Sequence, residues 1–175
     1  MRHLKLPLGM SDFEEIRQNG YYYIDKSGLI SDLLVRKAAK VTLITRPRRF
    51  GKTLGMSMLA HFFDIEKDSR ALFEGLEISK QKELCVQWMN QYPVIFLSLK
   101  NVEGSNFERA KYQMMELIAK EAARHSDLRE NKALDGNAKK EYEALTTFSN
   151  GRYQMTEEAL LGSLQTLSEL LASHY

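Results

Sequence analysis

The residues best suited to chemistry lie in RPRRFGKT, 46–53. Arg46, Arg48, Arg49 and Lys52 put four cations into seven residues. A polyphosphate is multiply charged and heavily hydrated, so a site for it must replace that hydration with several donors at once. A tight loop running from a strand into a helix does so with backbone N–H groups and the helix N-terminus. Here the amides of Arg48, Arg49, Phe50, Gly51, Lys52 and Thr53 are the candidate donors. Gly51 lets the backbone pass close to phosphate. Lys52 would reach the β- and γ-phosphates, and the Thr53 hydroxyl would ligate Mg²⁺. The expected ligand is therefore a nucleoside triphosphate such as ATP, with Mg²⁺.

Two features depart from the usual pattern. G-x-x-x-x-G-K-T asks for glycine at 46, where this chain has Arg46. Pro47 has no N–H to offer. The expectation is an altered loop entrance with an intact Gly-Lys-Thr end. Three other readings stay open. The stretch could be a solvated basic loop. It could be a nucleic-acid-binding patch using Arg46–Lys52, with binding that weakens steeply with salt. It could also belong to a non-catalytic regulatory scaffold that holds phosphate for shape.

Such a loop needs a strand before it and a helix after it. VTLIT, 41–45, reads as a buried strand, with Lys40 leading into it. Leu54, Gly55, Met58, Leu59, Phe62 and Phe63 then recur at helical spacing. Upstream, Ser11 with Glu14 predicts a capped short helix through Arg17, stopped by Gly20. YYYID, 21–25, reads as a strand. Ser27 predicts a cap for a helix carrying Leu29, Ile30, Leu33, Leu34 and Lys37. Residues 64–92 give no clear pattern. PVIFLSL, 93–99, reads as a second core strand. Phe107, Ala110, Met114, Leu117 and Ile118 mark a helix of about 18 residues. A polar stretch from Ser126 to Lys140 contains DGN, 135–137, a loop signal. Thr156 predicts the cap of a last helix, with Glu157 and Glu158 in its first turn and Leu160, Leu161, Leu164, Leu167 and Leu171 on its apolar face. Strands alternating with helices predict an α/β layered fold with a mainly parallel sheet.

Bulk composition narrows the classes. With 43% hydrophobic and 27% charged residues, the chain can bury a core. Lys+Arg is 25 against Asp+Glu 23, so the net charge of +2 makes any polyanion binding local. The one cysteine, Cys85, excludes an internal disulfide and a cysteine-based zinc site. No apolar run approaches the ~20 residues of a spanning helix, and the N-terminus lacks a secretory pattern. These features predict a cytoplasmic protein that does not enter membranes. His3, His61, His125 and His174 show no metal spacing. Trp88, Tyr92 and the tyrosines at 21–23 fit packing better than base stacking.

RPRRFGKT, with LGMSDFEEIRQNGYYYIDKSGLI upstream and LGMSMLAHFFDIEKD downstream, resembles the bacterial AAA-ATPase-like family. The resemblance is close over residues 4–70 and extends to the end. It implies a P-loop NTPase-type fold of the ASCE/AAA-like class. Residues 1–40 would be an N-terminal extension, and 41–175 the P-loop core with helical segments. The loop is also similar to the GPRRxGKT loops of archaeal-type and STAND signalling ATPases. By resemblance Lys52 is the Walker A lysine and Thr53 the hydroxyl linked to Mg²⁺. Asp25, Lys26 and Ser27 fall where related ATPases place a segment near the base, although a strand end plus a helix cap accounts for them better.

Related ATPases also carry a strand ending in acidic residues, which holds Mg²⁺ and positions water. PVIFLSLKN ends instead in Lys100 and Asn101, and no other apolar run ends in a carboxylate pair. The resemblance thus implies an N-terminal portion, 1–175, lacking the Walker B strand onward. It implies nucleotide binding within a larger ATPase, little or no hydrolysis by this chain alone, and no catalytic residue here. Family members usually add a PD-(D/E)XK nuclease-like domain, the expected route to nucleic acid. Without the acidic strand, 41–45 and 93–99 would lose their shared neighbour. A rearranged sheet, pairing between copies as a homo-oligomer, or marginal stability is then expected.

Overall fold

A computed structural model describes residues 5–35, 41–131 and 134–175. The chain divides into two compact units, Met1–Val94 and Ile95–Tyr175. His3, Lys37, Lys40 and the start of the 4–70 resemblance lie outside the described residues.

In the first unit, helix α1 spans Phe13–Gln18. Its N-cap is Asp12 rather than Ser11, with the Asp12 carboxylate accepting from the Glu15 N–H at 2.8 Å. That phase sends Phe13 and Ile16, three apart, into the core together. Gly20 stops the helix with φ 64°, and its N–H bonds to the Arg17 carbonyl. YYYID is not a strand. Tyr22 N–H donates to the Lys5 carbonyl, but no ladder follows. Its side chains still alternate. Tyr23 packs edge-on against Phe13 at 5.4 Å, while Tyr22 and Ile24 face outward.

Helix α2, Gly28–Val35, buries Ile30. Ser27 does not cap it as expected. The Ser27 hydroxyl accepts from the Ile78 N–H instead, across 51 residues. Helix α3, Lys52–Phe63, begins where the loop ends. Met58 and Phe62 are fully buried on its inner face. The stretch 64–92 holds α4, Arg70–Phe73, a 3-10 helix, Glu77–Lys80, and α5, Lys82–Trp88. Residues 90–92 then return along the end of α3: Asn90 N–H reaches the Phe62 carbonyl at 2.8 Å, and Asp64 and Tyr92 form a parallel bridge. Phe13, Ile30, Met58, Phe62, Phe73 and Ile78 are the fully buried centre of this unit.

In the second unit, α6, Phe107–Arg124, matches the expected helix, capped by Asn106 onto the Arg109 N–H. Helix α7, Asp127–Glu130, and helix α8, Gly136–Thr146, occupy much of the stretch read as loop. DGN is a helix start: Asp135 accepts from the N–H groups of Asn137 and Ala138. Strands β1, Phe148–Ser149, and β2, Arg152–Tyr153, pair antiparallel around Asn150 and Gly151, both at positive φ. Helix α9, Glu157–His174, is capped by Thr156, whose hydroxyl accepts from the Ala159 N–H at 3.1 Å. Its buried face is Leu167, Leu170 and Leu171, whereas Leu161 stands 83% exposed. Helices α6, α8 and α9 close around Ala119, Ala122, Leu128 and Leu167.

The unit structure is therefore helix-rich, with a two-residue antiparallel pair as the sheet found among the described residues. The expected parallel sheet is absent from them. Neither 41–45 nor 93–99 is a strand. Parallel strands are held by ladder bonds and by cover on both faces. Val41 and Leu43 have neither, at 85% and 84% exposed. In the other segment the Phe96 N–H is taken by the Glu121 carboxylate of α6 at 2.9 Å, and Ile95 and Leu97 pack onto the helical core. An apolar run shows that a segment can be covered. It does not show what covers it.

Candidate functional site

The loop 46–53 owes its shape to two left-handed residues at alternate positions, Arg49 at φ 68° and Gly51 at φ 76°. Phe50 between them and Lys52 after them do not share it. Alternation of backbone hand turns successive N–H groups toward one side, which is how peptide amides make a concave anion cradle. For glycine this conformation is free. For Arg49 it costs about 1–2 kcal/mol, a strain worth noting beside a candidate site.

Gly51 is also the N-cap of α3, and it provides no side-chain cap. The first N–H groups of a helix have no acceptor within it, so those of the loop end and first turn remain available as donors. The helix dipole adds partial positive charge at the same place. Thr53 is exposed in this first turn.

The cationic side chains divide by role. Lys52 folds back over the loop entrance, its ammonium donating to the carbonyl of Arg46 and, at 3.1 Å, to that of Pro47. Pro47 thus takes part through its carbonyl, where its missing N–H is no loss. Arg46 is not at positive φ, so the position where the usual pattern has glycine accepts a side chain here. Arg46, Arg48 and Arg49 are exposed.

Sequence reasoning puts Lys26 between a strand end and a helix cap, and its contact with the loop is the part it misses. Its ammonium donates to the Phe50 carbonyl at 3.1 Å, and stands 3.5 Å from where a Cβ on Gly51 would lie. The neighbours of Lys26 hold it in place. Asp25 accepts from the Ser27 N–H at 2.8 Å through one oxygen, and from the Glu77 N–H at 2.7 Å through the other. Burial acts to raise the Asp25 carboxyl, but these N–H bonds outweigh it and leave it below the usual carboxylate range. Ser27, fully buried, bonds Ile78. Asp25 and Ser27 thereby brace the segment against the 3-10 helix, and Lys26 between them reaches the loop. The signal available in sequence was a lysine flanked by two small polar residues that both hydrogen-bond backbone.

The model of a family described as predicted AAA-ATPase matches residues 7–161. The chain belongs to the AAA-ATPase-like family. This AAA-ATPase-like chain is also 34% identical over 99 residues to an uncharacterized protein in the vnfD 5' region of Azotobacter chroococcum mcd 1. That match covers 56% of the chain and 17% of the relative, so the chain spans only a small part of that protein's length. No solved structure matches it. Among the described residues, no helix of this AAA-ATPase-like chain is long and apolar enough to cross a membrane.

The other residues singled out by type in the first unit are structural. His61 on α3 is 3% exposed, and burial together with the Lys67 ammonium beside it holds the imidazole below its ordinary pKa. Cys85 is half-buried with its thiol directed at the Ile78 carbonyl, and burial pushes its pKa up, against nucleophilic use. Trp88 and Tyr92 stack on each other at 5.3 Å.

Proposed function

We propose that this chain binds a nucleoside triphosphate, ATP with Mg²⁺, through the variant Walker A loop RPRRFGKT. The observation that carries the reading is the alternation of backbone hand at Arg49 and Gly51 directly before an uncapped α3. In the proposal the amides of Arg48, Arg49, Phe50, Gly51, Lys52 and Thr53 are the donors to the phosphates. Family membership supports the same ligand class.

In this reading Lys52 leaves the Arg46 and Pro47 carbonyls for the terminal phosphates. The exposed Thr53 hydroxyl would ligate a Mg²⁺ bound with them, and the ion would neutralise phosphate charge there. The finer fold in this reading is a P-loop ASCE/AAA-like layered one. Turnover by this chain is negligible in the proposal, because no apolar run of its sequence ends in the acidic pair that positions water.

The test is thermal unfolding with Mg-ATP. At about 100 times Kd the ligand adds about 2.7 kcal/mol of stability. The wild-type chain should show that upward shift, and Lys52→Ala should abolish most of it. A melt that Mg-ATP leaves in place would remove the proposal.

A further inference from the structure

A cavity of about 460 Å³ lies in the first unit and shares no residue with the loop or with the Asp25–Ser27 segment. We propose that it binds a small monocarboxylate with an apolar body. The carboxylate pairs with Lys67 and Arg70, and the hydrocarbon rests on Val86 and Met89. The inference stands apart from the nucleotide reading and does not depend on it.

Charge is the first argument. Lys67, Asp68 and Arg70 line the cavity together. Asp68 and Arg70 already form a two-point pair, with Nε and Nη2 of the guanidinium at 2.9 and 2.8 Å from the two carboxylate oxygens. Lys67 is then the excess positive charge. Its half-buried ammonium lies 3.3 and 3.4 Å from the ring nitrogens of His61. Burial and this same ammonium hold that imidazole below its ordinary pKa, so the ring supplies no countercharge. Among the described residues no carboxylate comes within ion-pair distance of Lys67. An ammonium that has lost water without gaining an anion favours one brought from outside. One net positive charge suits a monoanion, and Arg70 keeps its Nη1 group free of the Asp68 pair to share it.

The frame is the second argument. Asn90 lines the cavity at φ 56° and ties its two walls together. Its side-chain oxygen accepts from the Ser69 N–H at 3.0 Å, and its amide nitrogen donates to the carbonyls of His61 and Asp64 at 3.2 and 2.8 Å. The turn after α5 is thereby fixed to the segment before α4. With these atoms engaged, recognition of an anion falls to the cations. Apolar lining is the third argument. Val86, 81% exposed, and Met89, 8% exposed, stand three residues apart at the end of α5 and both line the opening. An inorganic anion has no use for them, whereas a short hydrocarbon does. The volume falls within the range of about 300–1,000 Å³ usual for small organic ligands.

NMR titration of the isotope-labelled full chain with acetate, butyrate, hexanoate and 1-butanol tests this. Affinity should rise about threefold for each added CH₂ along the acids, and butanol, which lacks the charge, should not bind. Lys67→Met keeps the aliphatic stem and should weaken butyrate at least tenfold. Val86→Asp, at an exposed rim position, should weaken every acid by repulsion and serves if the Lys67 variant melts early. Saturation with butyrate should also raise the pKa of His61, because a bound carboxylate offsets the Lys67 charge. Lys52→Ala, in the loop, should leave all of this unchanged. No saturable binding by any of the acids, equal binding of butanol and butyrate, or full butyrate affinity in both Lys67→Met and Val86→Asp would overturn the proposal.

Discussion

The Lys26 ammonium and the Phe50 carbonyl are hydrogen-bonded at 3.1 Å although 24 residues separate them in sequence. The bond is exposed, so its contribution to global stability is small. Its local effect is to hold the middle of a loop whose residues otherwise lie in solvent. Lys26→Met keeps the aliphatic stem and removes the donor. Hydrogen–deuterium exchange over 48–52 should speed up severalfold while the denaturation midpoint barely changes. Unaltered exchange across the loop would show that the bond has no mechanical role.

Two glycines four residues apart should respond to the same substitution with opposite sign. Gly51 sits at φ 76°, so Gly51→Ala should cost about 1–2 kcal/mol from backbone strain alone. Gly55 is helical with open space around it, and Gly55→Ala should add up to about 1 kcal/mol. Urea denaturation of both variants checks this. Equal effects would mean that the left-handed turn is not kept in solution.

Arg49→Gly is expected to stabilise the chain, because it removes a side chain from a left-handed position. It also separates two ligand classes. A phosphate cradle made of amides keeps its Mg-ATP affinity within a few-fold, since the Arg49 N–H remains. Binding of a nucleic acid to arginine side chains would lose affinity and lower its salt slope by about one unit. Titration at several salt concentrations reads both.

His61 sets an acid limb of the stability curve. Burial and Lys67 hold its folded pKa below that of the unfolded chain, about 6.5. Below pH 6.5 the unfolded state therefore binds the extra proton, and stability falls as pH drops toward the folded pKa. Glu14, at 3.9 Å, opposes this only partly. The first unit should lose stability as the pH falls below about 6.5, and His61→Phe should flatten that limb. An unchanged profile in the variant would show that His61 titrates alike in the folded and unfolded chain.

What could be read from sequence follows the reach of each interaction. Helices α3, α6 and α9 were legible because their apolar stripes and caps act within a turn or two, as Asn106 and Thr156 do. The positions of Gly20 and Gly51 were legible for the same reason. The Asn150–Gly151 hairpin carried a strong local signal that was passed over. Asp135 was misread because a helix N-cap and a turn favour the same residue. Strands were not legible. Whether VTLIT joins a ladder depends on another segment, which the run itself does not encode. The candidate loop was visible as a charge and glycine pattern, but its tether at Lys26 arises from a contact 24 positions apart.

Because Lys52 rests on the Arg46 and Pro47 carbonyls, the loop is a closed electrostatic circuit rather than a waiting charge. An incoming anion competes with the protein's own oxygens for that ammonium. Small ions able to touch the amides yet unable to draw Lys52 away should be poor occupants. In the proposed site a ligand with adjacent phosphates would satisfy amides and ammonium together, and that is what would favour it over lone anions.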